Sequence, residues 1–172
     1  MTDPSPGSIG TLSCDAGGMR VVVRDLLPDD VRPDEASPWD DWDEAWIPEA
    51  LQPHHFRAAV VADDMIVGTM SWHAVLYGPT WGSRAWSMGI GLAPHARGRG
   101  IGTAAQRALS DALLRSAFRV EASTDIANVA EQRSLDKAGF LREGVLRSAQ
   151  FRRDGIHHDL VMYARTRATL AR

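Results

Sequence analysis

Cysteine is almost absent from this 172-residue chain, and the single Cys14 excludes an internal disulfide framework. With no histidine beside it in sequence, Cys14 gives no sign of an acyl-enzyme nucleophile either. No apolar run approaches the length of a membrane span, and no apolar stretch near the start has the form of a secretory signal. Cytoplasmic residence is the resulting expectation. An excess of charge is also missing: 19 basic and 22 acidic residues leave a formal net charge of −3, too little for a general field that would gather nucleic acid. No basic run is interleaved with aromatics, so nucleic acid is not an expected partner. Nothing repeats at a fixed period. His157-His158-Asp159 hints at a metal, but adjacent strand residues point to opposite faces, so the pair is poorly placed to share one ion and no metal is expected. What remains is one α/β domain with a substantial core.

The richest stretch is Gly91-Leu92-Ala93-Pro94-His95-Ala96-Arg97-Gly98-Arg99-Gly100-Ile101-Gly102. Trp86 to Leu92 reads as a buried strand stopped by Pro94, and Ile101, Ala105, Ala108 and Ala112 then recur at helical spacing. A glycine-rich turn between a strand and a helix leaves backbone N–H groups bare, and the helix aims the positive end of its dipole at the same place. That is a cradle for a diphosphate, with Arg97 and Arg99 adding charge. Neither familiar nucleotide fingerprint fits: no Lys-Ser/Thr pair follows the glycines, and Thr103 stands where a third dinucleotide glycine belongs.

Arg97-Gly98-Arg99-Gly100-Ile101-Gly102 resembles the Arg/Gln-x-x-Gly-x-Gly/Ala motif of the GNAT N-acetyltransferases. A second block strengthens the resemblance: Asn128 through Ala138, Gly139-Phe140, Glu143-Gly144, Asp154-Gly155, Asp159 and Tyr163. Their order looks like the branch that acetylates ribosomal-protein amino termini, and the likeness runs roughly from Met19 to Thr166. The resemblance implies acetyl-CoA as cosubstrate, and it leaves a homodimer open. The implied cofactor contacts are Gly91, Leu92 and Ala93 along the pantetheine arm, Arg97 through Thr103 (Gly98, Arg99, Gly100, Ile101, Gly102) around the pyrophosphate, and Asn128 and Lys137 beyond.

Residues 1–18 are polar and glycine-rich and read as a flexible tail before a single acyltransferase domain over 19–172. Met19 to Leu27 is the first strand. Ser37 and Pro38 open a short helix that carries Trp39, Trp42 and Trp46 and ends at Pro48, with a second small helix an option around 48–55. Phe56–Ala62, Met65–Tyr77 and Arg84–Leu92 read as three antiparallel strands, the first two joined at Asp63-Asp64. After the central helix come a strand over 118–124, a helix over 128–138, and a closing hairpin of 140–150 with 156–166. The expectation is an α+β fold with a mixed, largely antiparallel sheet of about seven strands, splayed at the cofactor and flanked by helices.

Acetyl transfer to an amine needs a neutral amine, hydrogen bonds to an oxyanion and a proton for the leaving thiolate. Glu131 stands where the family often has a serine; it is either a general base or the capping partner of Asn128 in an Asn-x-x-Glu box. Ser87 stands where the branch frequently has an acid, and serine cannot act as that base. A relay ending on Glu131, Asp125 or a histidine fits either departure. His54 or His55 is a catalytic candidate from the acceptor side, whereas His73 reads as a core or groove histidine bordering substrate. Trp39, Trp42 and Trp46 either line the acceptor pocket beside their acidic neighbours or fill the core. A lysine-like amine is neutral in roughly one molecule in a few thousand at pH 7, an α-amine in about one in ten, so a weakly basic acceptor suits a site without an obvious base. The alternatives are an acyl-CoA-binding or sensing domain without catalysis, a transferase of longer acyl groups, and a module that docks a basic partner through the tryptophan-rich acidic segment.

Overall fold

The computed structural model describes residues 8–39, 41 and 53–170. Eight strands form one sheet: β1 Thr11–Ala16, β2 Met19–Asp25, β3 Phe56–Ala62, β4 Met65–Leu76, β5 Arg84–Leu92, β6 Arg119–Asp125, β7 Leu141–Phe151 and β8 His157–Thr166. Their order is β1-β2-β3-β4-β5-β6-β8-β7. Among the described residues, helices α1 Ile101–Leu113 and α2 Val129–Ala138 lie between the strands, and the single turn α3 Arg167–Leu170 follows β8.

The mixed, largely antiparallel sheet expected from the sequence is present with one strand more. That strand, β1, corrects the flexible-tail reading of residues 1–18 from Thr11 onward. It pairs with β2 along its whole length, from Thr11 opposite Arg24 to Ala16 opposite Met19. The signal was Gly17-Gly18, a two-residue connection with φ of 65° and 92°, the left-handed pair that matches the twist of a hairpin. Alternate β1 residues Leu12, Cys14 and Ala16 then pack against the core. Asp63 and Asp64, at φ 51° and 59°, make the corresponding connection between β3 and β4.

The main core lies between one face of β2–β5 and α1. Val21, Val23, Ala58, Val60, Met70, Trp72, Trp86 and Met88 meet Ile101, Ala105, Leu109 and Leu113 of the helix, whose 3.6-residue spacing supplies the complementary stripe. Phe56 stacks on Trp72 at 5.6 Å and meets Trp86 edge-on at 5.9 Å. The Trp86 indole donates to Ser116 Oγ at 3.1 Å, which satisfies the polar end of a buried ring.

The one parallel contact is between β5 and β6, and it covers only Trp86 opposite Val120 and Ser87 opposite Glu121. Beyond Ser87 the two strands diverge, so Gly89 to Leu92 carry no β6 partner. The α1 crossover makes the pair parallel, and past the pairing β5 stays with β4 and β6 with β8.

Candidate functional site

At the mouth of this seam, Pro94–Ala96 form a 3-10 turn and the chain enters α1 through Gly98 and Gly100, at φ 72° and 80°. Gly100 is the N-cap residue and offers no side-chain acceptor. The first carbonyl bond of the helix is Ala104 N–H to Gly100 O, 3.0 Å, so the N–H groups of Ile101, Gly102 and Thr103 precede the ladder and have no capping side chain. A 13-residue helix therefore presents its dipole and three donors to the seam.

Arg97 is bonded within the chain. Its N–H bonds Pro94 O at 3.3 Å, and its guanidinium donates to Leu92 O at 2.8 Å, Glu35 O at 3.3 Å and Ala36 O at 2.7 Å. Arg97 thus straps the 35–36 segment across the end of β5. Arg99 reaches Asp63 Oδ2 at 3.2 Å and stays half-exposed. With Arg107 and Lys137 it lines a cavity of about 570 Å³ between α1 and the β1–β2 hairpin, at the outer end of the glycine turn.

On the α1 side of the seam, Asn128 caps α2: its Oδ1 accepts from Glu131 N–H at 3.3 Å, and its Nδ2 donates to Thr124 Oγ1 at 2.9 Å. Asn128 N–H, the donor that a reciprocal capping box uses, goes to Asp125 O at 2.9 Å. Glu131 instead accepts from Gln106 Nε2 on α1. Ser134 Oγ donates to Gln106 Oε1 at 2.8 Å and lies 3.0 Å from Thr103 Oγ1, which closes a polar chain between the two helices. Asp125 is not a free relay end: Ala127 N–H donates to its Oδ1 at 2.6 Å, and Arg152 and His158 pair with Oδ2 at 2.8 and 3.3 Å.

The opposite face of the sheet carries a second set. His73 of β4 pairs in register with Ser87, and Ser87 with Glu121 of β6, so the three stand in a row across the last pairing before the strands part. Beyond Ser87, this face of β5 holds only Gly89 and Gly91, opposite Ser71 and Thr69. The floor past the row is therefore nearly free of side chains. Glu35 closes its far end: Thr69 Oγ1 donates to its Oε2 at 2.9 Å, and a Cβ on Gly91 would overlap the carboxylate. Its Oε1 is buried without a hydrogen-bond partner among the described residues, and burial pushes the carboxyl above its ordinary range.

Glu121 is buried and accepts from Tyr77 OH at 2.7 Å and Arg119 Nε at 2.9 Å, while Arg119 also grips Glu143 through two bonds of 2.7 and 2.6 Å. Burial lowers the His73 pKa below the usual histidine value; nearby His55 lowers it further and the Glu121 charge opposes both. Of the adjacent histidines it is His55 that faces His73, ring centroids 4.7 Å apart, whereas His54 packs edge-on to Phe56. The structure therefore brings His73 and Ser87 together, leaves Glu131 on the other side of the seam, and sets His54 aside. Trp39 is partly buried after a turn in which its N–H bonds Ser37 Oγ at 3.3 Å; Trp42, Trp46 and the expected helix beyond Trp39 lie outside the described residues. Residues 53–55 are not helical. Sequence reasoning missed Glu35 and Glu121. Periodicity marks neither, because one works across a sheet register and the other across 34 residues of chain.

A family model described as an acetyltransferase (GNAT) domain matches residues 15–141. Among solved structures, Mycobacterium smegmatis RimJ in complex with CoA-disulfide is 22% identical with a TM-score of 0.70, over 100% of this chain and 93% of that one. RimL, a ribosomal L7/L12 alpha-N-protein acetyltransferase in complex with coenzyme A, is 23% identical with a TM-score of 0.58, over 66% and 62%. AAC(6')-Ib in complex with ribostamycin and coenzyme A is 19% identical with a TM-score of 0.57, over 70% and 69%. At such identities these are likenesses of fold. No curated protein matches the sequence significantly.

Proposed function

Because this chain belongs to the GNAT acetyltransferase family, we propose that it moves an acetyl group from acetyl-CoA directly to a primary amine, on a small molecule or a peptide amino terminus, within a ternary complex. The carrying observation is the uncapped N-terminus of α1 at the mouth of a seam with an unpaired β5 edge. When bound, acetyl-CoA supplies the thioester carbonyl that the amine attacks, the C–N bond forming as the C–S bond breaks and the thiol leaving with a proton. The N–H groups of Ile101, Gly102 and Thr103 would hold the pyrophosphate, and the unpaired polar backbone of β5 from Gly89 to Leu92 would meet the pantetheine amides. Gln106, Glu131 and Ser134 border the same side and are donors and acceptors for the cofactor arm. The cleared floor at Gly89 and Gly91, closed by Glu35 and the row at Ser87, is the acceptor side. Trp39 sits close in sequence to the strapped 35–36 segment and belongs to that side. Lys137, Arg99 and Arg107 outnumber Asp15 and Asp111 around the outer cavity, a balance that suits the remaining phosphate of the cosubstrate. The reading carries a cytoplasmic setting with it, since the cosubstrate is an intracellular metabolite.

The test is release of free thiol from acetyl-CoA by the purified chain, with peptide amino termini and small amines as acceptors. Acceptor-dependent release is expected. Tight binding of acetyl-CoA without release under any acceptor would select a sensing domain, and faster release from longer CoA esters would change the acyl group. Failure to bind any CoA ester would sink the assignment of the turn.

A further inference from the structure

Direct transfer leaves one task unassigned: an acceptor that arrives as an ammonium must lose a proton before its nitrogen can attack. Ser87 cannot take it, and Glu131 lies on the cofactor side of the seam, bonded to Gln106 of α1. Among the described residues, Glu35 and His73 remain on the sheet floor of the acceptor side, with His55, ahead of β3, facing His73.

Glu35 and His73 stand at opposite ends of the cleared floor. Glu35 is beside Gly91, four residues past Ser87 along β5, or about 13 Å at strand rise. His73 stands at Ser87, where β5–β6 pairing stops and a group threaded into the seam can go no deeper. The reacting carbonyl is carried at the tip of the pantetheine arm, and the diphosphate at its other end is held by the glycine turn, close to the Gly91 end. The tip therefore reaches toward the His73 end. Across the sheet, two strand spacings of about 4.8 Å separate the backbones of His73 and Glu121, with the Ser87 hydroxyl between them. That separation is too long for a fixed ion pair and short enough for a field.

Resting on the acetyltransferase reading, we propose that His73 is the catalytic base that takes the proton from the acceptor ammonium. Glu121 of β6 supplies, from the neighbouring strand, the negative charge missing at Ser87. The first proton passes from the ammonium nitrogen to an imidazole nitrogen, the freed lone pair attacks the thioester carbonyl, and the attacking nitrogen gives up its second proton as the C–S bond breaks; one of the two protons leaves on the departing thiolate and the other goes to water, the imidazolium being stabilised by the carboxylate meanwhile. Glu121 is a positioning residue, itself fixed by Tyr77 and Arg119, and its charge acts through His73. The charged groups around His73 are His55 ahead of β3, Arg57 on β3 and Glu121 on β6. His55 opposes the imidazolium and Glu121 favours it, while Arg57 acts on His55. Burial and His55 prevail, so His73 is held neutral and ready to accept a proton at neutral pH.

The experiment measures kcat and KM against pH for the wild type, His73→Asn, His73→Ala, Glu121→Gln and Glu35→Gln, with two acceptors of different basicity and acetyl-CoA affinity measured separately. The expected result is a wild-type kcat that falls on the acid side with a midpoint below 6.5 and independent of the acceptor. His73→Asn should lose about 100-fold or more in kcat with acetyl-CoA affinity unchanged, a loss in the range of general base catalysis. Added imidazole should restore part of the His73→Ala rate, which a merely structural histidine would not allow. Glu121→Gln should move the acid limb to lower pH. An active wild type with a His73→Asn rate within threefold, or a rate abolished by Glu35→Gln and spared by His73→Asn, would overturn the assignment while leaving acetyl transfer intact. A wild type that binds acetyl-CoA and transfers nothing would overturn both.

Discussion

In the proposed cradle, Gly100 is the residue on which cofactor binding depends most directly. At φ 80° it occupies a conformation that costs a side-chain-bearing residue about 1–2 kcal/mol, and it leaves the first turn of α1 uncapped. Gly100→Val is expected to raise the KM for acetyl-CoA roughly tenfold, the equivalent of about 1.4 kcal/mol, with a smaller change in kcat; steady-state kinetics and calorimetric titration check it. Arg97 predicts the opposite division. Its side chain binds three carbonyls, two of them in the segment that presents Glu35, and a hydrogen bond from a charged donor contributes about 1.5–3 kcal/mol. Arg97→Ala should therefore raise the KM of the amine by roughly tenfold or more, while acetyl-CoA affinity stays close to wild type. Equal losses for both substrates would show that Arg97 serves the turn after all. The motif alone points to a basic residue beside a phosphate cradle; three carbonyls arriving from β5 and from residues 35–36 are invisible to it.

Among the elements, those punctuated by local chemistry were legible. Phe56–Ala62 and Arg84–Leu92 agree with the expected strands because alternation, Asp63-Asp64 and Gly78-Pro79 are short-range signals. Helix α2 runs from the Asn128 cap to Gly139 at φ 92°, as a cap and a stop residue dictate. Strand β1 was hidden because its apolar members, Leu12, Cys14 and Ala16, are too few to stand out until β2 and α1 are beside them. Their contribution is testable. Removing residues 1–17 uncovers one side of α1 and turns β2 into a sheet edge, so the truncated chain should melt several degrees lower at about 2–4 °C per kcal/mol, and associate at high concentration. A thermal scan with light scattering decides it; an unchanged Tm would mean that β1 is an ornament on the sheet.

For the whole molecule, the proposed reaction divides the two sides of the sheet: α1 and α2 border the side given to the cofactor, and the 35–36 segment closes the side given to the acceptor. A ligand that bridges the β5–β6 seam binds only the folded chain. Acetyl-CoA at a hundred times its Kd should then stabilise the protein by about 2.7 kcal/mol, a rise in Tm of roughly 5–10 °C. Gly100→Val should need proportionately more ligand for the same rise. A Tm indifferent to every CoA ester would refute a preformed cradle.

By itself the sequence determined the strand, glycine turn and helix, the cap of α2, the mixed sheet and the class of ligand, because each is written in residues within a dozen positions of one another. The tertiary structure decided that Glu121 stands across from Ser87, that Glu35 reaches Gly91, and that Glu131 bonds Gln106 of α1. Those relations follow from sheet register and from which face a strand presents, and both are fixed only when distant segments pair and bury their apolar sides together.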